Sequence, residues 1–118
     1  MSNSLVSVLV PCFNHAKYIE TCILSVINQS YKNIELIVLD DGSTDGSYEI
    51  AEQLKLKFDF KLIKQDNRGL AATLNRAIIE FSNGDYVAIC ASDDYFPINK
   101  IEKQVGFMQL NPKYMMKS

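Results

Sequence analysis

The sequence predicts an α/β fold in three layers, with helices on both faces of a mostly parallel sheet. Four short apolar runs rich in β-branched residues alternate with stretches of helical period along the 118 residues. The order strand–helix recurs four times, and strands separated by helices pair in parallel through right-handed crossovers. Each run also stops in polar, turn-forming residues, so the strand ends are marked in the sequence itself.

The first strand is read over 5–10 (LVSVLV), ended by Pro11, which cannot donate to a ladder. Cys12, Phe13, Asn14 and His15 form the loop after it, with His15 read as an exposed loop residue. From 16 to 29 the period becomes helical, and Ile19, Cys22, Ile23, Val26 and Ile27 share one face. The second strand, 34–39, is apolar throughout and reads as buried on both faces. It stops at Asp40 and Asp41, two adjacent carboxylates that repel each other unless a cation, a donor or water meets them. Gly42, Ser43 and Thr44 supply the turn, and Asp45 and Ser47 can cap a helix whose stripe is Ile50, Ala51 and Leu54.

A weaker third strand, 60–63, leads into the turn Gln65–Asp66–Asn67–Arg68–Gly69. The third helix carries Leu70, Leu74, Ala77, Ile78 and Phe81 on one face and is stopped by Ser82, Asn83 and Gly84. The fourth strand, 86–90, runs into Ala91, Ser92, Asp93 and Asp94. Pro97 suits the first position of a last helix with Ile98, Ile101, Val105 and Met108 inside, and Pro112 ends it.

Composition narrows the function classes. Twelve basic and fourteen acidic side chains give a net charge of −2. No basic stripe with interleaved aromatics appears, which argues against a nucleic-acid surface. Lys55, Lys57, Lys61 and Lys64 read as a solvated face, compatible with at most a peripheral membrane contact. Cys12, Cys22 and Cys90 make no CxxC pair and suggest free thiols in a reducing compartment. With neither a signal-peptide pattern nor an 18-residue apolar window, the expected location is the cytoplasm, including the inner face of the membrane.

The placement of the polar residues carries the functional reading. In a parallel sheet ligands bind outside the carboxyl ends of the strands. Phe13 and Asn14 follow strand one, Asp40 and Asp41 strand two, Asp66 and Asn67 strand three, and Asp93 and Asp94 strand four. All four clusters fall on one edge. Two acidic pairs without a basic cluster do not suit a bare phosphate, whereas a magnesium or manganese ion between carboxylate and pyrophosphate balances the charges.

These segments carry a resemblance over nearly the whole chain. VSVLVPCFN, LIVLDDGSTDGS, NRGLAATLNRAI and GDYVAICASDDYFP occur in the order and spacing of the family 2, GT-A-fold glycosyltransferases. The resemblance implies a Rossmann-like half that binds a nucleoside diphosphate sugar, a UDP-sugar, with Mn2+ or Mg2+. It implies transfer to a glycan or lipid-linked acceptor with inversion, in cell-envelope polysaccharide synthesis. By the same resemblance Phe13 stacks on the base, Asp41 binds it, Pro11 shapes the pocket and Asp93 faces the ribose or donor sugar. Asp94 ligates the metal, and Asn14 and Asn67 complete the nucleotide-binding set.

The chain departs from the family pattern at Ala91, where an aspartate is common, and at Leu74, where an arginine often precedes the asparagine. Arg68 and Arg76 are the candidate substitutes for that arginine. In similar enzymes the acceptor site and the catalytic base lie in a C-terminal half. The chain is therefore expected to be a single donor-binding domain over 1–118, truncated before the acceptor half and inactive alone, its catalytic base unassigned. The competing readings are a signalling receiver domain and a non-catalytic nucleotide-binding module. The receiver lacks its acidic pair after strand one and its fifth strand here. A dinucleotide site lacks its G-x-G-x-x-G.

Overall fold

A computed structural model describes residues 4–110, with side chains described to 107. Its sheet has four strands, β1 (Val6–Cys12), β2 (Ile34–Asp41), β3 (Lys61–Gln65) and β4 (Tyr86–Ile89), in the order β3-β2-β1-β4, all parallel. The helices are α1 (Ile19–Ile27), α2 (Ser47–Lys55), α3 (Leu70–Arg76), continued by a π turn over Ala77–Phe81, and α4 (Lys100–Leu110).

Alternation along the strands divides the core into two. Val6, Val8, Val10 and Cys12 of β1, with Leu36 and Val38 of β2, face Ile19, Ile23 and Val26 of α1, Ala51 and Leu54 of α2, and Ile101 and Val105 of α4. Leu9, Ile37 and Leu39 point the other way, to Ala77, Leu74 and Phe81. Two-sided burial explains why the central strands read as unbroken apolar runs. Three helices therefore cover one face and α3 the other, the three-layer arrangement expected.

The element boundaries differ from expectation at several points. Pro11 does not end β1. It lies inside the strand opposite Leu39, while β4 last pairs at Leu9–Ile89. Leu9 O accepts the Cys90 amide, so the next residue facing that side, Pro11, lies where β4 has turned away. Its missing N–H therefore leaves no ladder bond unmade. β2 likewise continues through both aspartates.

α1 occupies only Ile19–Ile27 of the expected 16–29. Asp45 Oδ1 accepts the Ser47 amide at 3.0 Å, one residue outside a cap position held by Gly46. The last helix starts at Lys100, not Pro97; Pro97 O accepts the Lys100 amide, and Ile98 is exposed. Leu70 and Ile78 are exposed too, because the apolar packing of this helix against the sheet is made by Leu74, Ala77 and Phe81. The inward reading of Met108 and the stop at Pro112 lie outside the described residues.

Candidate functional site

The strand order reverses at β1: β2 and β3 lie on one side of it and β4 on the other. Such a reversal opens a crevice at the carboxyl edge. A cleft of about 280 Å³ lies there, lined from β1 and its loop by Pro11, Cys12, Phe13 and His15, and from β2 by Asp41. Asn67, Gly69, Leu70 and Thr73 close it from the β3–α3 side, Ala91 and Ser92 from the β4 side.

The two adjacent aspartates do not face each other, because successive strand residues point to opposite faces. Asp40 sits on the α1 side, pairs in register with Cys12 and accepts the Ser43 amide on Oδ2 at 2.9 Å. Asp41 points to the α3 side and gathers donors. Its Oδ1 accepts Gln65 Nε2 at 2.8 Å and the Arg68 amide at 2.7 Å; its Oδ2 accepts the Gly69 amide at 3.0 Å and Asn67 Nδ2 at 3.3 Å. Burial alone pushes this carboxyl up, but the bonds from Gln65, Arg68 and Gly69 outweigh it and hold it below its ordinary range. Asp41 is therefore ionised and binds the β3–α3 loop to the tip of β2.

Behind Asp41 the orientation of Gln65 is fixed. Its Oε1 accepts Arg76 Nη1 at 2.8 Å and its Nε2 also donates to Thr73 Oγ1 at 2.9 Å. Arg76 further pairs with Glu80 at 3.4 Å, so of the two candidate substitutes for the family arginine it is engaged inside the fold, while Arg68 is exposed.

The loop after β1 is tied to the loop after β2. Asn14, at φ +55°, accepts the Thr44 amide on Oδ1 at 2.8 Å and gives its own amide to Ser43 Oγ at 2.9 Å. The left-handed backbone is one that asparagine tolerates. These bonds leave Phe13 half exposed beside the cleft. His15 is half-buried, not exposed as expected, with Nδ1 2.5 Å from Ser92 Oγ.

Of the residues expected to bind nucleotide, Pro11, Phe13, Asp41 and Asn67 line one cleft. Asn14 braces the loop, and Asp93 stands exposed near His15, 3.9 Å from Nε2. Asp94 is exposed and accepts the Tyr95 amide at 2.8 Å. Among the described residues no three His, Cys, Asp or Glu side chains are grouped to enclose a metal. Magnesium and manganese do not need such an enclosure, since one or two carboxylates with substrate phosphates and water suffice. An exposed Asp94 fits that kind of site.

Burial pushes the Cys12 thiol up, so it stays protonated in the cleft wall. Gln65, Thr73 and Ser92 are site residues that the sequence reading passed over. Gln65 was legible in principle, as the residue after Ile63 on the same strand face; Thr73 lies three residues from Leu70 on the same helical side.

A parallel sheet whose carboxyl edge gathers a cleft of this kind is a Rossmann-like ligand-binding domain. The chain belongs to glycosyl transferase family 2, whose family model matches residues 7–117. An uncharacterized glycosyltransferase of Haemophilus influenzae is 42% identical over 113 residues, covering 94% of this chain and 45% of that protein. A putative teichuronic acid biosynthesis glycosyltransferase of Bacillus subtilis, TuaG, is 41% identical, covering 88% and 42%.

The fold is similar to the mannosyltransferase PcManGT of Pyrobaculum calidifontis, solved in complex with GDP-Man and Mn2+, at TM-score 0.85 and 26% identity, over 92% of this chain and 33% of that one. It is also similar to S. aureus TarS 1-349 in complex with UDP-GlcNAc, at TM-score 0.79 and 28% identity, over 90% and 31%. The chain spans less than half the length of these relatives. Among the described residues no helix is long and apolar enough to cross a membrane.

Proposed function

We propose that this chain is the donor-binding domain of a glycosyltransferase and that its cleft seats the nucleoside of a nucleoside diphosphate sugar, uridine-based. The observation that carries the reading is the convergence of Pro11, Phe13, Asp41 and Asn67, from three strand ends, on one cleft. Phe13 offers its ring to the base. Asp41 already accepts four donors, so a base N–H reaches it by replacing the longest, Asn67 Nδ2 at 3.3 Å. Asn67 then becomes a donor to a base carbonyl. Asp93 meets the ribose or donor sugar, and Asp94 would hold Mn2+ or Mg2+. When bound, that cation supplies Lewis-acid stabilisation of the departing diphosphate.

In the whole protein the acceptor hydroxyl oxygen bonds to the anomeric carbon from the face opposite the diphosphate. The bond from that carbon to the diphosphate oxygen breaks with inversion, and the hydroxyl proton passes to a base outside the residues assigned here. The acceptor is a saccharide or lipid-linked saccharide, a reading supported by the name of the Bacillus subtilis relative.

A thermal-shift panel of uridine, guanosine, cytidine and thymidine diphosphates, each with Mn2+ and with chelator, tests the donor class. Ligand at about 100 times its dissociation constant adds roughly 2.7 kcal/mol, a rise of several degrees for a domain of this size. Uridine diphosphate with Mn2+ is expected to give the largest rise. No rise with any of the four would overturn the reading.

A further inference from the structure

We propose that His15 is a positioning residue that sets the acidic loop 91–94 against the donor, acting through Ser92 and Asp93. The inference rests on the donor-site reading and extends it to a residue with no assigned role. His15 belongs to the loop after β1, yet both nitrogens of its imidazole face the loop after β4, while the ring also meets Tyr18 edge-on at 6.3 Å between centroids. Nδ1 lies 2.5 Å from the buried Ser92 Oγ, and Nε2 lies 3.9 Å from Asp93 Oδ2. With Nε2 turned to a carboxylate, the ring proton is best placed there. Nδ1 is then the acceptor and the Ser92 hydroxyl the donor.

The base of this side chain is itself held. The His15 amide donates to Ser47 Oγ at 3.0 Å, and the neighbouring Ala16 amide donates to Asp45 Oδ2 at 3.0 Å. The Ser47 hydroxyl donates to the other Asp45 oxygen. His15 thus carries the order of the β2–α2 turn across the cleft mouth to the acidic loop. The far end of that loop is anchored to α1 and the turn that follows it, where the Phe96 amide donates to Ser25 Oγ at 2.9 Å and Pro97 O accepts Gln29 Nε2 at 2.6 Å. Between these anchors the turn bond from the Asp94 amide to Ala91 O, at 2.9 Å, and the Asp94–Tyr95 contact hold residues 93–95, and Ala91 O also accepts the Cys22 thiol at 3.4 Å. The imidazole is therefore the near-side contact made to the Asp93 side chain itself.

The test combines amide hydrogen exchange at Asp94 with calorimetric titration of uridine diphosphate in Mn2+, for wild type, His15→Ala, His15→Asn, Asp93→Ala and the double variant His15→Ala/Asp93→Ala. Asparagine keeps a polar atom near the place of Nδ1 and lacks Nε2. Loss of one such support is expected to speed Asp94 exchange and weaken diphosphate binding about tenfold each, with amides of β2 unchanged. His15→Asn should recover most of the exchange protection. On the Asp93→Ala background, removing His15 should change binding less than about twofold, because residues acting through one another are not additive. If His15→Ala does not fold, Ser92→Ala removes the same bond from the other side and carries the same expectation.

Unchanged Asp94 exchange in the alanine variant, or a full additive loss of binding on the Asp93→Ala background, would overturn the proposal. If wild type bound no nucleoside diphosphate, the donor-site reading would fall by itself, and the exchange data would still decide what His15 does to the loop.

Discussion

Asp41 connects the fold to the site at the scale of a single residue. Four donors meet its two oxygens, so removing it both unties the β3–α3 loop and takes an acceptor from the cleft. Asp41→Ala is expected to lose stability by about 1.5–3 kcal/mol, the scale of a charged hydrogen bond. It should also weaken uridine binding equally with and without metal, measured by denaturant titration and calorimetry. Unchanged uridine affinity would remove Asp41 from the base site.

Glu35, at the opposite end of β2, makes a separate prediction. Burial pushes its carboxyl up, but the Asn83 side chain and amide, the Ser7 hydroxyl and Lys61 together bring it from 4.5 down to about 2. The folded-state value is the lower one. Its contribution is therefore complete above about pH 4.5 and is lost as pH falls from there towards 2. Lys61 is half exposed and screened, so the contribution is about 2 kcal/mol. Glu35→Gln should be less stable than wild type by that amount at pH 7 and nearly equal to it at pH 2. A gap independent of pH would contradict the ion-pair account.

At the scale of elements, the four strands and four helices were legible because hydrophobic period is set by which faces are buried. Boundaries were less legible, for reasons that lie across the chain. Pro11 sits inside β1 only because β4 ends two residues earlier in register, which no local reading of the proline reveals. Leu70 and Ile78 matched the helical stripe but stay exposed, since a single helix covers that face and reaches the sheet over a narrow band. The site's edge was legible from the recurrence of polar residues after each strand. Its inner support was not, because the Arg76–Gln65–Asp41 chain joins residues that meet only in the folded sheet.

The turn after β2 gives the prediction at this scale. Gly42 has φ +83°, and a Cβ there would lie 2.9 Å from the Asn67 amide nitrogen; Gly46 has φ +97° with open space around it. Gly42→Ala should cost about 1–3 kcal/mol and lower uridine affinity, because Asn67 must move. Gly46→Ala carries only the backbone strain. Equal costs in a denaturant series, with uridine affinity unchanged in both, would show that the β2 turn does not set the position of Asn67.

For the molecule as a whole, the exposed Asp93 and Asp94 stand on the same edge of the sheet as the cleft proposed to seat the donor. A net charge of −2 gives no general attraction for a diphosphate. On the proposed donor-site reading, affinity for that ligand comes from the cleft and from a cation held at Asp94. Calorimetric titration of uridine diphosphate and of uridine into wild type and Asp94→Asn, with Mn2+ and with chelator, tests this most directly. Manganese should strengthen wild-type diphosphate binding by at least about tenfold, or about 1.4 kcal/mol. In Asp94→Asn most of that gain should vanish, while uridine binding and stability stay within about 0.5 kcal/mol of wild type. The same manganese gain in the variant as in wild type would mean that Asp94 only closes the turn onto the Tyr95 amide, and the metal-assisted donor site would be refuted.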